Sequence, residues 1–235
     1  MDFFDLVNKR RSVRKFSDEN VPENVIKKAL KAALLAANSS NLQPWEFYWV
    51  KDMNKKDLLV KACFSQNAAK TAKELIVAVS RIDTWKRNRD LILDNYKKNG
   101  EVTSIVKKYY NQVVPLAYLH DQIGIFGIIK KIILFFVSMV GLFKPVPRGP
   151  VSRQDVFEIV TKTTALACQN FMMGLVAQGY DSCPMEGFDH KRIKKILSLN
   201  RQSHVVMVIG VGKRDPKGIY GERFRIDDEL VIKII

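Results

Sequence analysis

Three cysteines and three histidines are all that this 235-residue chain has of either residue. Cys63, Cys168 and Cys183 form no CxxC pair, and an odd count in a chain of this length argues for reduced thiols in a cytoplasmic setting, not a disulfide framework. No HExxH, HxH or mixed Cys/His ligand spacing occurs, so no metal site is expected. The GxGxxG dinucleotide fingerprint is missing as well. The first ten residues carry acids where a secretory signal carries bases, and their apolar run is too short for an h-region. Acids are scarce against bases, 24 Asp and Glu to 39 Lys and Arg.

The resulting charge of +15 suits a nucleic acid, an anionic membrane surface or a small anion. With 47% apolar residues the chain can bury one substantial core, and its length favours one domain over residues 1–235. Helical periodicity predicts a short helix over 2–9, a second after Pro22 with apolar positions at 25, 26, 29, 30, 33 and 34, one near 189–198, and a long one over 154–178 closed by Gly179. Strand patterns fall at 45–50, 75–79 and 204–210, with one or two short helices between the first two. The end, 230–235, is also strand-like and could pair on a partner chain. Runs of helix and strand in this order predict an α+β domain.

Residues 84–150 differ, holding eleven Lys and Arg against four Asp and Glu, and read as an insertion. Within it, 123–143 is apolar and helical in period but interrupted by Lys130 and Lys131. Only twelve uncharged residues follow them, short of the roughly 20 that a span needs. On a helix, Gly124, Gly127, Lys131, Ser138 and Gly141 share one narrow stripe and apolar side chains cover most of the rest.

Four cations crowd R10-R11-S12-V13-R14-K15-F16, and Arg223 and Arg225 alternate on an extended segment that turns both the same way. Forked guanidinium donors beside a hydroxyl match the chemistry that grips a phosphate; the plain alternative is a solvated helix end. Asn67 could cap a helix, and P184-M185-E186-G187-F188 could be a simple turn. His190, His204, Cys168 and Cys183 read as structural, and Tyr109, Tyr110, Phe126 and Phe136 as packing residues.

Taken together, R10-R11-S12-V13-R14-K15-F16, A36-A37-N38-S39-S40-N41-L42-Q43-P44-W45-E46-F47, P184-M185-E186-G187-F188 and R223-F224-R225 resemble the FMN-dependent nitroreductase family, in the family's order. The P-x-E-G-F block is similar to the oxygen-insensitive NAD(P)H nitroreductase and dihydropteridine reductase branch. The resemblance implies a nitroreductase-like fold, a central and mainly antiparallel sheet flanked by helices, in an interlocked homodimer with FMN at its interface. It places Arg10, Arg11 and Ser12 at the FMN phosphate and ribityl chain, with Arg223 and Arg225 closing around that phosphate. Arg14, Asn67 and Lys70 fall toward the flavin pyrimidine, where cations would offset the negative charge that builds at N1 and O2 on reduction. Pro184, Met185, Glu186 and Gly187 lie against the central ring, with a backbone N–H near Glu186 donating to N5. Ser39, Ser40 and Asn41 reach the flavin across the dimer, while Gln43, Pro44 and Trp45 shape that loop; Ala37 and Asn38 stand where the family has proline and serine.

The implied activity is ping-pong hydride transfer from NADH or NADPH through flavin N5 to a nitroaromatic, quinone or similar small acceptor, with no catalytic side chain. The insertion corresponds to a mobile excursion over the flavin, a hydrophobic lid. A helix on an anionic membrane, with Lys107, Lys108, Lys130, Lys131, Lys144 and Arg148 facing headgroups and a lipid-soluble acceptor in reach, is the alternative. A flavin-binding protein without enzymatic activity is another, and nucleic-acid binding ranks last because no module for it is present.

Overall fold

The computed structural model describes residues 2–100, 102–119 and 125–235, and at Ile125 the backbone alone. Chain order begins with helices α1 (Phe3–Lys9) and α2 (Glu23–Leu34), strand β1 (Trp45–Trp49), helices α3 (Met53–Ala62) and α4 (Asn67–Lys70), and strand β2 (Glu74–Arg81). Helices α5 (Trp85–Lys98), α6 (Ser104–Lys108), α7 (Val114–Tyr118) and α8 (Ile125–Val140) follow, with one wide helical turn, Tyr109–Val113, joining α6 to α7. Then come α9 (Arg153–Ala177), β3 (Asp181–Met185), α10 (His190–Ile196), β4 (Ser203–Gly212) and α11 (Asp228–Val231).

The four strands form one antiparallel sheet in the order β1-β2-β4-β3, the α+β arrangement that the sequence implied. Alternation along β2 divides the core. Leu75, Val77 and Val79 face α3, α4 and α10, where they meet Leu59, Ala69 and Ile193. Ile76 and Ala78 face α2 and α9, where Ile26, Ala29, Ala33, Phe171 and Leu175 close the other layer. The face of α2 that packs follows the marked periodicity through Val25, Ile26, Ala29, Leu30 and Ala33, but Leu34 at the helix end stays exposed; both layers derive their stability from apolar burial. Gly210 of β4 lets α4 come close, since a Cβ there would stand 2.6 Å from the Ala68 carbonyl oxygen.

Helix α9 starts in a capping box, Ser152 with Asp155, and ends before Gly179, whose φ of +77° is the left-handed cap expected there. Strand β3 escaped the sequence reading because Asp181, Ser182 and Pro184 are poor strand formers; Pro184 is tolerated since β3 is an edge. The strand expected over 230–235 is not there. That stretch begins in α11, whose helical turn Asp228–Val231 takes up its first residues, and joins none of the strands among the described residues.

The region 84–150 is mostly helical, rooted by Trp85, Tyr110, Val114 and Tyr118 packing on Val156 and Val160 of α9. Residues 123 and 124, including the glycine placed on the small-residue stripe, lie outside the described residues. Gly127, Ser138 and Gly141 do face the protein, while Lys131 stands exposed.

Candidate functional site

The amino-terminal segment leaves α1 and runs beside the sheet edge, bridging Ser12 to Ser182 and Phe16 to Arg214. The Val13 N–H donates to the Ser182 carbonyl at 3.0 Å, and the Arg14 N–H to that of Gly218 at 2.7 Å. Val13 is buried, which turns its neighbours Ser12 and Arg14 the other way, and a bend at residues 14–15 then returns Phe16 to the core. The loop after β4 returns along the same edge. Arg10, Arg11, Ser12 and Arg14 on one side and Arg223 and Arg225 on the other line a hollow of about 370 Å³.

Two of these arginines hold the frame. Arg223 donates to the Asn8 and Arg10 carbonyls, each at 2.7 Å, and so caps the exposed carbonyl end of α1; Arg11 donates to the Gly221 carbonyl at 2.7 Å. Arg10 has neither arrangement. Partial burial and then the neighbouring Arg223, Arg225 and Arg11 push its guanidinium below its ordinary value. Glu222 lines the same hollow, yet no salt bridge joins it to an arginine among the described residues. The Ser182 hydroxyl beside Ser12 is buried without a hydrogen-bond partner. Such a concentration of like charge is what a dianion would relieve.

A second group joins at the carboxyl end of β3. Gln66 Nε2 donates to the Gly187 carbonyl at 2.9 Å, and Asn67 Nδ2 to the Tyr220 hydroxyl at 3.4 Å, tying α4 to the P-x-E-G segment and to the loop that carries Arg223. Pro184 and Met185 belong to β3; the Met185 side chain is buried in the core, while Pro184 is partly exposed. Glu186 and Gly187 are exposed. A Cβ at Gly187 would meet only Gln66 Nε2, at 4.0 Å, so no atom of the chain demands glycine there. Sequence reasoning missed Gln66, Ser182 and Tyr220. Tyr220 stands three residues before Arg223, a spacing that could have drawn attention to it.

Lys70 and the Ser39–Asn41 turn lie apart from the arginine hollow of their own chain. Lys70 borders a neighbouring hollow with Lys15 and Asp215, and is absent from the described residues lining the arginine hollow. Ser39, Ser40 and Asn41 form a tight 3-10 turn whose Ser40 and Asn41 take positive φ of 56° and 52°. Within the chain they face the wide helical turn Tyr109–Val113. The Ser40 and Tyr109 hydroxyls are 2.7 Å apart, and the Tyr110 hydroxyl donates to the Ser40 carbonyl at 3.0 Å. Tyr109 and Tyr110 therefore do more than fill space. Pro44 and Trp45 are buried, as expected of residues that shape the loop, and Asn38 accepts from the Gln43 N–H at 2.9 Å.

The thiols are core groups. Burial raises Cys63 and Cys168 to about 12, and raises Cys183 against the opposing pull of Arg14 and Arg10, so none is poised as a nucleophile. Groups of His, Cys, Asp and Glu that could hold a metal are absent among the described residues.

The nitroreductase family model matches residues 7–127 and 132–213. The chain is 26% identical to the oxygen-insensitive NADPH nitroreductase of Helicobacter pylori over 89% of its own length and 86% of the relative's. It is 23% identical to the NADH dehydrogenase of Thermus thermophilus over 93% of its length and 90% of that protein's. An Exiguobacterium sibiricum protein solved in complex with FMN superposes with a TM-score of 0.72 at 20% identity, covering 100% of this chain and 98% of the other, which establishes the fold. The arginine-lined sheet edge, the P-x-E-G segment after β3 and the matched family model lead to one assignment: the chain belongs to the nitroreductase family.

Proposed function

We propose that the chain is an FMN-dependent NAD(P)H oxidoreductase whose cofactor phosphate occupies the hollow between Arg10 and Arg225. The class of enzyme and its flavin follow from family membership. The placement is carried by one observation, the uncompensated cluster around Arg10. The unpartnered Ser182 hydroxyl and the open space at Gly187 fit the same group, one as a donor to an anion and the other as room for a flat ring.

The chemistry that FMN supplies when bound is two-electron hydride exchange at N5, first with NADH or NADPH and then with an acceptor, in ping-pong order. The protein's part is binding, orientation and charge. Arg10 and Arg225 neutralise the phosphate and the Ser12 hydroxyl donates to it; Arg223 and Arg11, bonded to backbone carbonyls, keep the hollow open. Asn67, steered by Tyr220, and Arg14 present donors toward the pyrimidine edge, and Lys70 one turn further along α4 adds positive charge from the adjoining hollow. The backbone from Pro184 to Gly187 is free to lie along the ring because Met185 is anchored in the core.

Ser39, Ser40 and Asn41 serve the partner subunit's site in a homodimer. Exposed Phe3, Phe4, Leu166, Ile226, Leu230 and Ile234 support that assembly, since a monomer would leave them all in water. Because Tyr109 and Tyr110 are bonded to Ser40, the 104–118 part of the insertion travels with that turn and walls the acceptor side, the lid in this reading. Nitroaromatics and quinones are the acceptor classes that suit such a wall.

The deciding measurement is the visible absorption spectrum under anaerobic conditions. A yellow protein bleached by NADH or NADPH is expected. A yellow protein that neither donor bleaches would make it a flavin carrier, and one that takes up no added FMN would remove the cofactor assignment.

A further inference from the structure

Helix α8 and the chain that returns from it form a hairpin standing on the insertion. Its inner side is tight: a Cβ on Gly141 would come within 2.7 Å of Val146 and 2.8 Å of Arg148, and one on Gly127 would sit 3.7 Å from the Val151 carbonyl oxygen. Residues 146–151 therefore run back along the small-residue stripe. Lys130, which the sequence placed among outward cations, turns in instead and donates to the Leu119 carbonyl at 2.7 Å, satisfying the end of α7.

The outer side is bare. Ile128, Ile132, Phe135, Phe136 and Met139 are each more than half exposed, and at the tip Leu142 is 78% and Phe143 90% exposed. At 100° per residue they span, with Ile129, Ile133 and Val140, roughly 160° of the helix circumference. The border of this face is cationic. Lys131 stands at its edge beside Phe135, Lys144 follows Phe143 directly, and Arg148 lies next to Lys131 across the hairpin. Between Val102 and Pro150 the sequence has six Lys and Arg and a single acid, Asp121.

We infer that this hairpin docks the protein on an anionic lipid surface, the apolar face of α8 lying in the headgroup boundary and Lys131, Lys144 and Arg148 meeting lipid phosphates. An exposed apolar stripe edged by long cationic side chains matches that boundary, where the side-chain stems bury and the charges remain at the headgroups. Crossing is excluded for this element: 16 residues make about 24 Å of helix, and no helix among the described residues is long and apolar enough to span a membrane. A second copy is the poorer occupant, because a two-fold interface through this face would set its cationic border against an identical one with no acid to pair it. The inference goes beyond the flavin reading and does not depend on it.

Co-sedimentation of the full chain with sucrose-loaded vesicles tests it. Tighter binding by at least tenfold to 60:40 phosphatidylcholine:phosphatidylglycerol than to phosphatidylcholine alone is expected, weakening as salt is raised. The double variant Ile132→Ser/Phe136→Ser should lose at least tenfold, and Lys131→Gln/Lys144→Gln should lose the anionic preference. Protein left in the supernatant with both vesicle types, or undiminished binding by the Ile132→Ser/Phe136→Ser variant, overturns the inference. So does a halving of that variant's mass in light scattering, which would assign the face to a second copy. Flavin content and donor-dependent bleaching, read on the same variants without vesicles, report the oxidoreductase assignment separately.

Discussion

Arg10 and Gly187 show how differently two residues of one site can be built. Arg10 is held among like charges at a cost to its own protonation, whereas Gly187 is left in a space that nothing in the chain fills. Replacing Arg10 and Arg225 with alanine together should relieve repulsion and leave the fold intact while weakening FMN by about 3 kcal/mol or more, on the order of a hundredfold in Kd, from the loss of charge-assisted bonds. Fluorescence titration of the stripped protein with FMN measures this, and unchanged affinity would refute the phosphate placement. Gly187→Val makes the complementary case. Its φ lies outside the left-handed range and its neighbourhood is open, so thermal stability should stay within about 0.5 kcal/mol while flavin uptake is lost. A variant that binds FMN normally would show that the space serves no ring.

At the scale of elements, α10 and β4 bring two histidines together. The His190 and His204 rings stack at 5.4 Å, with Phe157 of α9 5.9 Å from His204. Burial, then His190 and Lys194, holds the His204 imidazole below its ordinary 6.5. Its contribution to stability is thus present above about pH 6.5 and is lost as the pH falls below it, where the unfolded chain takes up a proton that the folded ring resists. Melting curves from pH 7.5 to 5 should show this acid-side fall, and His204→Phe, which keeps the aromatic row, should shrink it; an identical slope in the variant would dismiss the ring as its source. Elements were legible in the sequence where side chains repeat. The buried face of α2 and the strands β2 and β4 follow their apolar periods, and the arginine-lined hollow follows the two runs of arginine. What stayed hidden was what depends on neighbours in space: β3, made a strand by its pairing with β4; the polar ties of Gln66 and Tyr220; and Lys130, whose sequence context gave no sign that α7 lay within reach of its ammonium.

At the scale of the molecule, the last ten residues present Ile226, Leu230, Val231, Ile232, Ile234 and Ile235 to solvent. Burial of such side chains stabilises an assembly by roughly 1.5–3 kcal/mol apiece, which makes the carboxyl end the strongest candidate for an arm embracing a partner. A chain ending at Arg225 keeps every basic residue of the hollow but should run at half the native mass in light scattering and hold little flavin. A truncated chain that stays dimeric would place the interface elsewhere.

The α8 hairpin leaves and rejoins the body at nearly one place. Lys130 grips Leu119 on the way out, and Val151 lies against Gly127 on the way back, just before the Val151 and Ser152 N–H groups bond to Asp155 at the head of α9. With Leu119 held at Lys130 and Val151 set against Gly127, residues 125–150 form a cassette. A short glycine-serine splice could excise it without disturbing the sheet, and the same cassette, moved to another enzyme's surface loop, would carry its address with it.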